Sequence, residues 1–571
     1  MAKSTEAVTP RAGLWAGRDD LGPALFQYAV TAAVAGLVLL PIGMLVYGSF
    51  RDAPPGAPGE FTLENYQRLF SRDVADALVN TLVISVAVSI ACIVFGLLLA
   101  FLVFRTDLPG RTAIAVLVAA SFYFPSFLSA EAWALLAAPK SGMINVLVRE
   151  WWPSFGGMNI YSLGGIIWVM TLSYVPYVFL FLAAPLQSLD PAFEEASLMS
   201  GAAMRRTIRA ITFPLVTYAI LAGALITFVQ AAGLFGVPAI LGLQARIWVL
   251  ATQIYSQITF YPPNFSGAAA LSMLLLVLAM AGVFAQRRIT GRMQFTSVTG
   301  RGYRPRLIEL GRWRWLAFAA CLAYLALGVI LPLLALLYAS LVPFYDGRLD
   351  FSRLTLANYR DVLFVYPVTW RAFKNSLLLS AGGATIGVLL AAMVSYVVVK
   401  GRTAGRGTLD FLAMSPAAFP GLVIAVGLLW AYITTPLYAT VWLLIVSYVT
   451  HYLPHAVRAT SSNLVQIDDS LEESARIAGA SWRRGFTDVV LPLIRPALLS
   501  AWLLLFVAFF RELSSAVLLY THGNEVVSVA LWDLHQNGNL GYLSALAIVT
   551  LGVIYAVFFV AYRLFPLAVG D

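Results

Sequence analysis

Long apolar stretches alternate with short polar ones along most of this chain. Runs close to the ~20 residues needed to cross a bilayer cover 24–50, 77–104, 113–138, 160–187, 214–240 and 266–286 in the first half. The second half offers 313–343, 371–399, 409–433, 437–457, 493–519 and 541–566. Only helices and closed barrels satisfy the backbone inside lipid, and runs of this length read as helices. The pattern therefore predicts an all-α polytopic membrane protein with twelve transmembrane helices, six per half. Only "TPLY" separates 409–433 from 437–457, which predicts a tight hairpin with Pro436 as its breaker. The first 23 residues are polar and mixed in charge, and the apolar run after them exceeds a signal-peptide core. That run is expected to stay as a membrane helix behind an N-terminal tail, 1–23.

The two halves repeat one another. Asn80 in "VNTLVIS" answers Asn375 in "KNSLLLS", and Arg111 answers Arg406, each 295 positions on. Phe124-Pro125 and Phe419-Pro420 keep that offset. "EEASLMSGAAMRRTIRAITFPL", from Glu194, then answers "EESARIAGASWRRGFTDVVLPL", from Glu472, at an offset of 278. The first half thus carries about 17 extra residues, placed in 139–160. That piece is too polar to span, and Trp151 and Trp152 suit a membrane surface. Six spans per copy is an even number, so both copies enter the membrane in the same sense, as a parallel repeat.

The repeated polar segments, 190–214 and 468–492, lie between spans four and five of each unit. Glu194-Glu195 and Glu472-Glu473 sit where a short helix would start, and a helix N-terminus favours negative charge. Ala196 and Ser474 follow; Gly201 and Gly479 permit a sharp turn, and Arg205 and Arg483 then reach the headgroup level. Pro214 and Pro492 suit the first turn of the next spanning helix, where a missing N–H costs little. A solvated loop needs only to be polar. Two copies with every one of these spacings retained point to an element that docks.

Composition agrees. The 571 residues are 60% hydrophobic and 11% charged, far from the balance of a soluble globular chain. Of the 37 lysines and arginines, 25 fall on cytoplasmic segments and 11 outside when both termini are placed inside, with Arg511 left within or near a membrane run. The largest cluster runs through the linker 287–312, with eight arginines from Arg287 to Arg314 and one acid, Glu309. With no second basic domain, anionic lipid is its expected partner, and nucleic acid is not. The net charge of +9 is read the same way. Cys92 and Cys321 fall in apolar runs and are read as packing residues. There is no G-x-x-x-x-G-K-[ST] phosphate loop, no H-E-x-x-H and no G-x-S-x-G, so no catalytic residue, metal site or cofactor is expected on the chain.

At the repeated segments the sequence resembles the inner-membrane permease subunits of binding-protein-dependent ABC importers. Their hallmark is E-A-A, three residues, G, nine residues, I, one residue, L-P. Here it reads Glu195-Ala196-Ser197, Gly201, Ile211, Phe213-Pro214, and again Glu473-Ser474-Ala475, Gly479, Val489, Leu491-Pro492. The resemblance implies two tandem six-helix type I (MetI-like) units, 24–286 and 313–566, with a short C-terminal tail, 567–571. It also implies that each segment is a coupling helix docked in a cleft of an ATP-hydrolysing subunit. The partners implied are two such subunits, expected as a homodimer, on the cytoplasmic face, and a solute-binding protein outside, with transport by alternating access. The stretches "NIYSLGGIIWVM", "FGVPAILGLQARIWVLATQIY" and "FRELSSAVLLYTHGNEVVSVALWDL" resemble the fused permeases of ferric-iron uptake. Thiamine, phosphonate and polyamine permeases belong to the same branch.

Arg511 and Glu512 lie about 28 Å along a helix from Pro492 at 1.5 Å per residue. Ionisable residues at such depth are candidates for the pathway or its gate, the bland alternative being an ion pair at a broken helix. The matching first-half stretch has Gln230 and Gly233. Glu131 is a second candidate, and His451 and His455 are expected near the inner interface. An ion-coupled transporter would predict carboxylates buried mid-membrane and no need for repeated docking segments, the reverse of what this sequence shows, and an intramembrane enzyme would need a clustered catalytic set, which is not found.

Overall fold

The computed structural model describes residues 21–189, 191–290, 307–401 and 405–564. Among them every extended element is an isolated bridge, and the rest is helix and connecting loop. Eight helices are long and apolar enough to cross a membrane, from Ala24–Ser49 to Leu540–Val560. Three helix pairs bent at a break pass the same test together, which gives up to eleven segments among the described residues when each pair is taken as one span. The twelfth expected span is the helix Val441–Leu464, whose 24 residues would reach about 36 Å. Its middle carries His451 and His455 and its inward third Arg458, which lowers its hydropathy.

Three expected straight spans are corrected. Residues 113–138 form Arg111–Ser121 and Ser126–Ala137, bent by 97°, and 409–433 form Arg406–Ala418 and Gly421–Tyr432, bent by 110°. Both breaks fall on the repeated Phe-Pro pairs. Proline pushes the residue before it out of the helical region and has no N–H to give; Phe419 is extended, at φ −101° and ψ 115°. The run 493–519 ends its helix at Phe510 and resumes only as the short Ala516–Leu519. Pro214 and Pro492 are corrected as well. Each follows a π-helical turn, Ile208–Thr212 or Gly485–Val490, inside a helix that has already begun at Met204 or Trp482. The wider turn supplies the local adjustment that lets a proline sit past a helix start.

The units interlock. The N-terminal helix Leu21–Ser49 packs on Gly421–Tyr432 of the second unit, burying Val34, Val38 and Leu45. In return the helix Leu331–Leu341 packs on Ser126–Ala137, and the Tyr324 hydroxyl donates to the Leu172 carbonyl at 3.2 Å. A Cβ on Gly427 would lie 2.3 Å from the Pro41 carbonyl oxygen. Gly427→Ala is therefore expected to cost about 1–3 kcal/mol through overpacking, read as a lower denaturation temperature in detergent. The extra first-half residues form the helix Met143–Trp151, with Trp151 exposed and Asn145 buried on the Ala138 and Met158 carbonyls, each at 2.8 Å. Cys92 and Cys321 are free and buried. Most of the basic linker, 291–306, lies outside the described residues, as do 1–20 of the N-terminal tail and the C-terminal tail; residues 21–23, expected in the tail, begin the first helix.

Candidate functional site: coupling helices and the cavity between the units

The two repeated segments fold alike. The first is a helix, Pro191–Met199, and the second a helix, Asp469–Ile477. Each is closed by its glycine in the left-handed region, Gly201 at φ +81° and Gly479 at φ +87°. The N–H of Ala202 then bonds the Ser197 carbonyl at 3.1 Å, and that of Ala480 the Ala475 carbonyl at 3.0 Å. This is the hydrogen-bond pattern of a glycine-terminated helix, and a side chain at either glycine would be strained. Asp468 caps the second helix: the Ser470 backbone N–H, at 2.8 Å, and hydroxyl hold its carboxyl below the usual range.

The paired acids divide their roles. Glu194 is buried, its carboxylate held by the fully buried Arg105 guanidinium and by the Thr212 hydroxyl at 2.6 Å. Glu472 is buried likewise and accepts from the Tyr396 hydroxyl at 2.6 Å. Glu195 and Glu473 face outward, with Ala196, Ser474, Arg205 and Arg483. Beside them two apolar positions recur at the 278 offset: Phe193 with Leu471, and Met199 with Ile477, all exposed. Arg105 and its repeat Lys400, 295 positions on, end the long helix of each unit. Lys400 reaches the Ile467 carbonyl at 2.5 Å and the Asp469 carboxylate. The sequence reading missed both anchors, although a basic residue kept at the repeat offset was the signal.

At the inner end of the membrane region the second segment also meets an exchanged element. Phe26 of the N-terminal helix sits 4.8 Å from the Trp482 ring. Ile308, near the end of the linker, pairs with the loop after Arg105, its N–H donating to the Arg105 carbonyl at 2.8 Å.

The second feature is a cavity of about 120 Å³ between the units. Both Phe-Pro breaks line it, together with Tyr174, Gln230, His451, Arg511 and Glu512. Arg511 stands where its helix stops. Its Nη1 donates to the Phe122 carbonyl of the other unit at 2.6 Å, and its guanidinium lies 5.1 Å from the Phe122 ring centre. Glu512 turns away: Tyr452 donates to its Oε2 at 2.6 Å and the Ser515 N–H to its Oε1 at 3.1 Å. The two charges do not pair with each other, so the alternative of an ion pair between them at the broken helix does not hold. Gly233 stands 278 positions before Arg511, and a Cβ there would be 2.8 Å from the Pro420 Cβ. One unit thus closes the cavity with a cation and the other with bare backbone.

The remaining candidates separate. His451 lines the cavity and is not interfacial. Glu131 lies outside the cavity lining; it is buried, 2.5 Å from the His535 Nδ1, in a contact across the units. Arg511→Ala removes a charge-assisted hydrogen bond between the units, worth about 1.5–3 kcal/mol. The expected result is a longer mean distance between spin labels set on either side of the cavity.

A family model described as "binding-protein-dependent transport system inner membrane component" matches twice, at residues 81–295 and 383–569. The chain belongs to this family. The permease is similar to the ferric transport system permease protein FbpB of Actinobacillus pleuropneumoniae, 27% identical over 92% of this chain and 77% of that one. It is also similar to the Fe(3+)-transport system permease protein FbpB 2 of Haemophilus influenzae, 28% identical over 81% of this chain and 85% of that one. A solved bacterial ABC transporter involved in the import of alginate covers 48% of the permease at 17% identity and a TM-score of 0.37, too low to add to the assignment. Both matched stretches begin after the leading helix of their unit, so the exchanged helices lie outside the family model.

Proposed function

We propose that this permease carries ferric iron across the inner membrane, powered by two ATPase subunits docked at Pro191–Met199 and Asp469–Ile477. Both termini lie in the cytoplasm, and a binding protein delivers the solute from the opposite side. The duplicated coupling helices carry this reading. Each is fixed from behind by a buried glutamate and presents outward a second glutamate between two exposed apolar side chains. An acidic spot flanked by apolar knobs is the pattern of a docking surface with a cationic, apolar-lined cleft. Two such faces at one repeat offset suit a partner that presents two equal clefts. Iron as cargo is supported by the names of the two relatives.

In this mechanism closure of the ATPase pair draws the coupling helices together, and each helix moves its unit through its buried glutamate. The units part and rejoin about the cavity, where Arg511 meets Phe122. Isolation of the permease from its native membrane tests the scheme. An ATPase should co-purify, and cysteines placed at Glu195 and Glu473 should each cross-link to it. Purification with no ATPase would overturn the reading.

A further inference from the structure

One end of the helix Arg72–Arg105 holds the first coupling helix through Arg105; the other end borders a second cavity, of about 910 Å³. The wall this helix contributes runs from Asp73 to Asn80, across the place where the apolar run 77–104 begins. The cavity therefore straddles the boundary between water and hydrocarbon, on the side of the membrane away from the coupling helices. Val79 lines it and heads a row of exposed apolar residues at helical spacing, Val83, Val86, Ile90 and Val94. Such a row on a spanning helix lies against acyl chains. The cavity thus opens toward lipid at this rim, where the lining residue Phe260 is exposed as well.

The lining carries both signs of charge. Arg68 is engaged by Glu64 at 2.7 Å. Asp73, Asp76 and Arg246 are exposed, and among the described residues their side chains form no ion pair and no hydrogen bond. Gln253 donates its Nε2 to the Asp73 carbonyl at 2.8 Å, which leaves its Oε1 buried without a donor. A buried acceptor in that state is rare and costly. The second unit shows what closes the same corner. Arg371 stands there for Asp76 at the 295 offset, and Glu525 for Ile247 at the 278 offset. Arg371 donates its Nε and Nη2 to the Glu525 carboxylate at 2.8 and 2.9 Å, and Asn375 donates to the Gly523 and Glu525 carbonyls at 3.1 and 2.9 Å. The first unit lacks both partners of that bridge. Asn80, the counterpart of Asn375, reaches the Trp248 carbonyl at 3.0 Å, and Asp76 faces open space.

We infer that this cavity holds the headgroup of a zwitterionic phospholipid bearing a primary ammonium, a phosphatidylethanolamine, from the leaflet on that side. Arg246 takes the phosphate, whose oxygens match its planar fork. The ammonium brings the N–H donors that Asp73, Asp76 and the Gln253 Oε1 lack. The acyl chains follow the row from Val79 to Val94. A headgroup with phosphate and no ammonium would set its charge against two carboxylates, and a choline would bring charge without an N–H. The lipid fills in the first unit the place that an arginine–glutamate bridge fills in the second. It ties the far end of Arg72–Arg105, the helix that carries the coupling anchor, to the segment 246–253.

Lipid retention by the full-length permease tests this. Nanodiscs are made with phosphatidylcholine, phosphatidylethanolamine and phosphatidylglycerol in equal amounts, and the intact permease is released from them into a mass spectrometer. It should keep phosphatidylethanolamine about tenfold more often than either other lipid, as expected when hydrogen bonds to charged groups decide the choice. Arg246→Ala and Asp76→Asn change exposed residues and should each remove most of that preference. Asp76→Arg with Ile247→Glu installs the bridge of the second unit and should abolish it, while the denaturation temperature in phosphatidylcholine alone is kept or raised. Equal retention of the three lipids, a preference for phosphatidylglycerol, or a phosphatidylethanolamine preference that survives both single variants would overturn the inference. So would a cross-link from Arg246→Cys to the binding protein in a permease that shows no lipid preference, which would make the cavity a protein-docking surface.

Discussion

Arg105→Met is expected to unseat the first coupling helix. Arg105 has no exposed surface, and it binds the buried Glu194 and, at 3.4 Å, the Leu186 carbonyl. Removing one partner of such a pair costs about 3–5 kcal/mol, because the other charge stays behind without compensation. Thr212 alone would then hold Glu194. Uptake should fall at least as steeply as thermal stability. The double variant Arg105→Met, Glu194→Leu removes both charges and should recover most of the stability, since an apolar pair of similar volume is often neutral in such a place. It should not recover uptake, because the helix is no longer tied to the membrane helix that ends at Arg105. A double-mutant cycle on denaturation temperature measures the coupling. Additive losses would show that the pair holds nothing.

The second large effect is expected at the outward face. Glu195→Lys with Glu473→Lys reverses charge at two exposed positions, and exposed substitutions rarely move stability by more than about 0.5 kcal/mol. The permease should fold and reach the membrane as before. Docking should fail at both clefts, because like charge at a specific contact costs several kcal/mol, which is at least about a hundredfold in affinity. Either single variant should leave one docked helix and an intermediate rate. Unchanged uptake in the double variant would remove the mechanical link on which the proposal rests.

These two tests involve features that differ in how plainly the sequence displays them. The coupling segments were legible because they combine a local rule with a repeat. A glycine at a helix end and a proline beyond it are interpretable singly, and the 278 offset says they act together. The division of labour within each acidic pair was not legible. Glu194 and Glu195 are adjacent, but 100° of helical rotation sends one inward and the other to water, and only the position of Arg105 decides which. The bends were half visible. The Phe-Pro pairs stood out as repeat landmarks, yet hydropathy sums over a window and cannot register a 97° or 110° turn within it. The helix 441–464 shows the complementary failure. Its polar stripe lowers the score that a spanning segment needs, because it faces a cavity and not lipid. His451 was misplaced for the same reason, while the contact of Arg511 with Phe122 joins residues 389 apart and had no local trace.

The exchanged leading helices bear on how such a chain could arise and come apart. Each unit completes its wall with a piece of its neighbour, so the halves are clasped like folded hands, and the tether between them is not what keeps them joined. A cut anywhere between 290 and 307 would leave two polypeptides still bound by that clasp. Partnership of two separate chains and fusion into one are, for this architecture, nearly the same molecule.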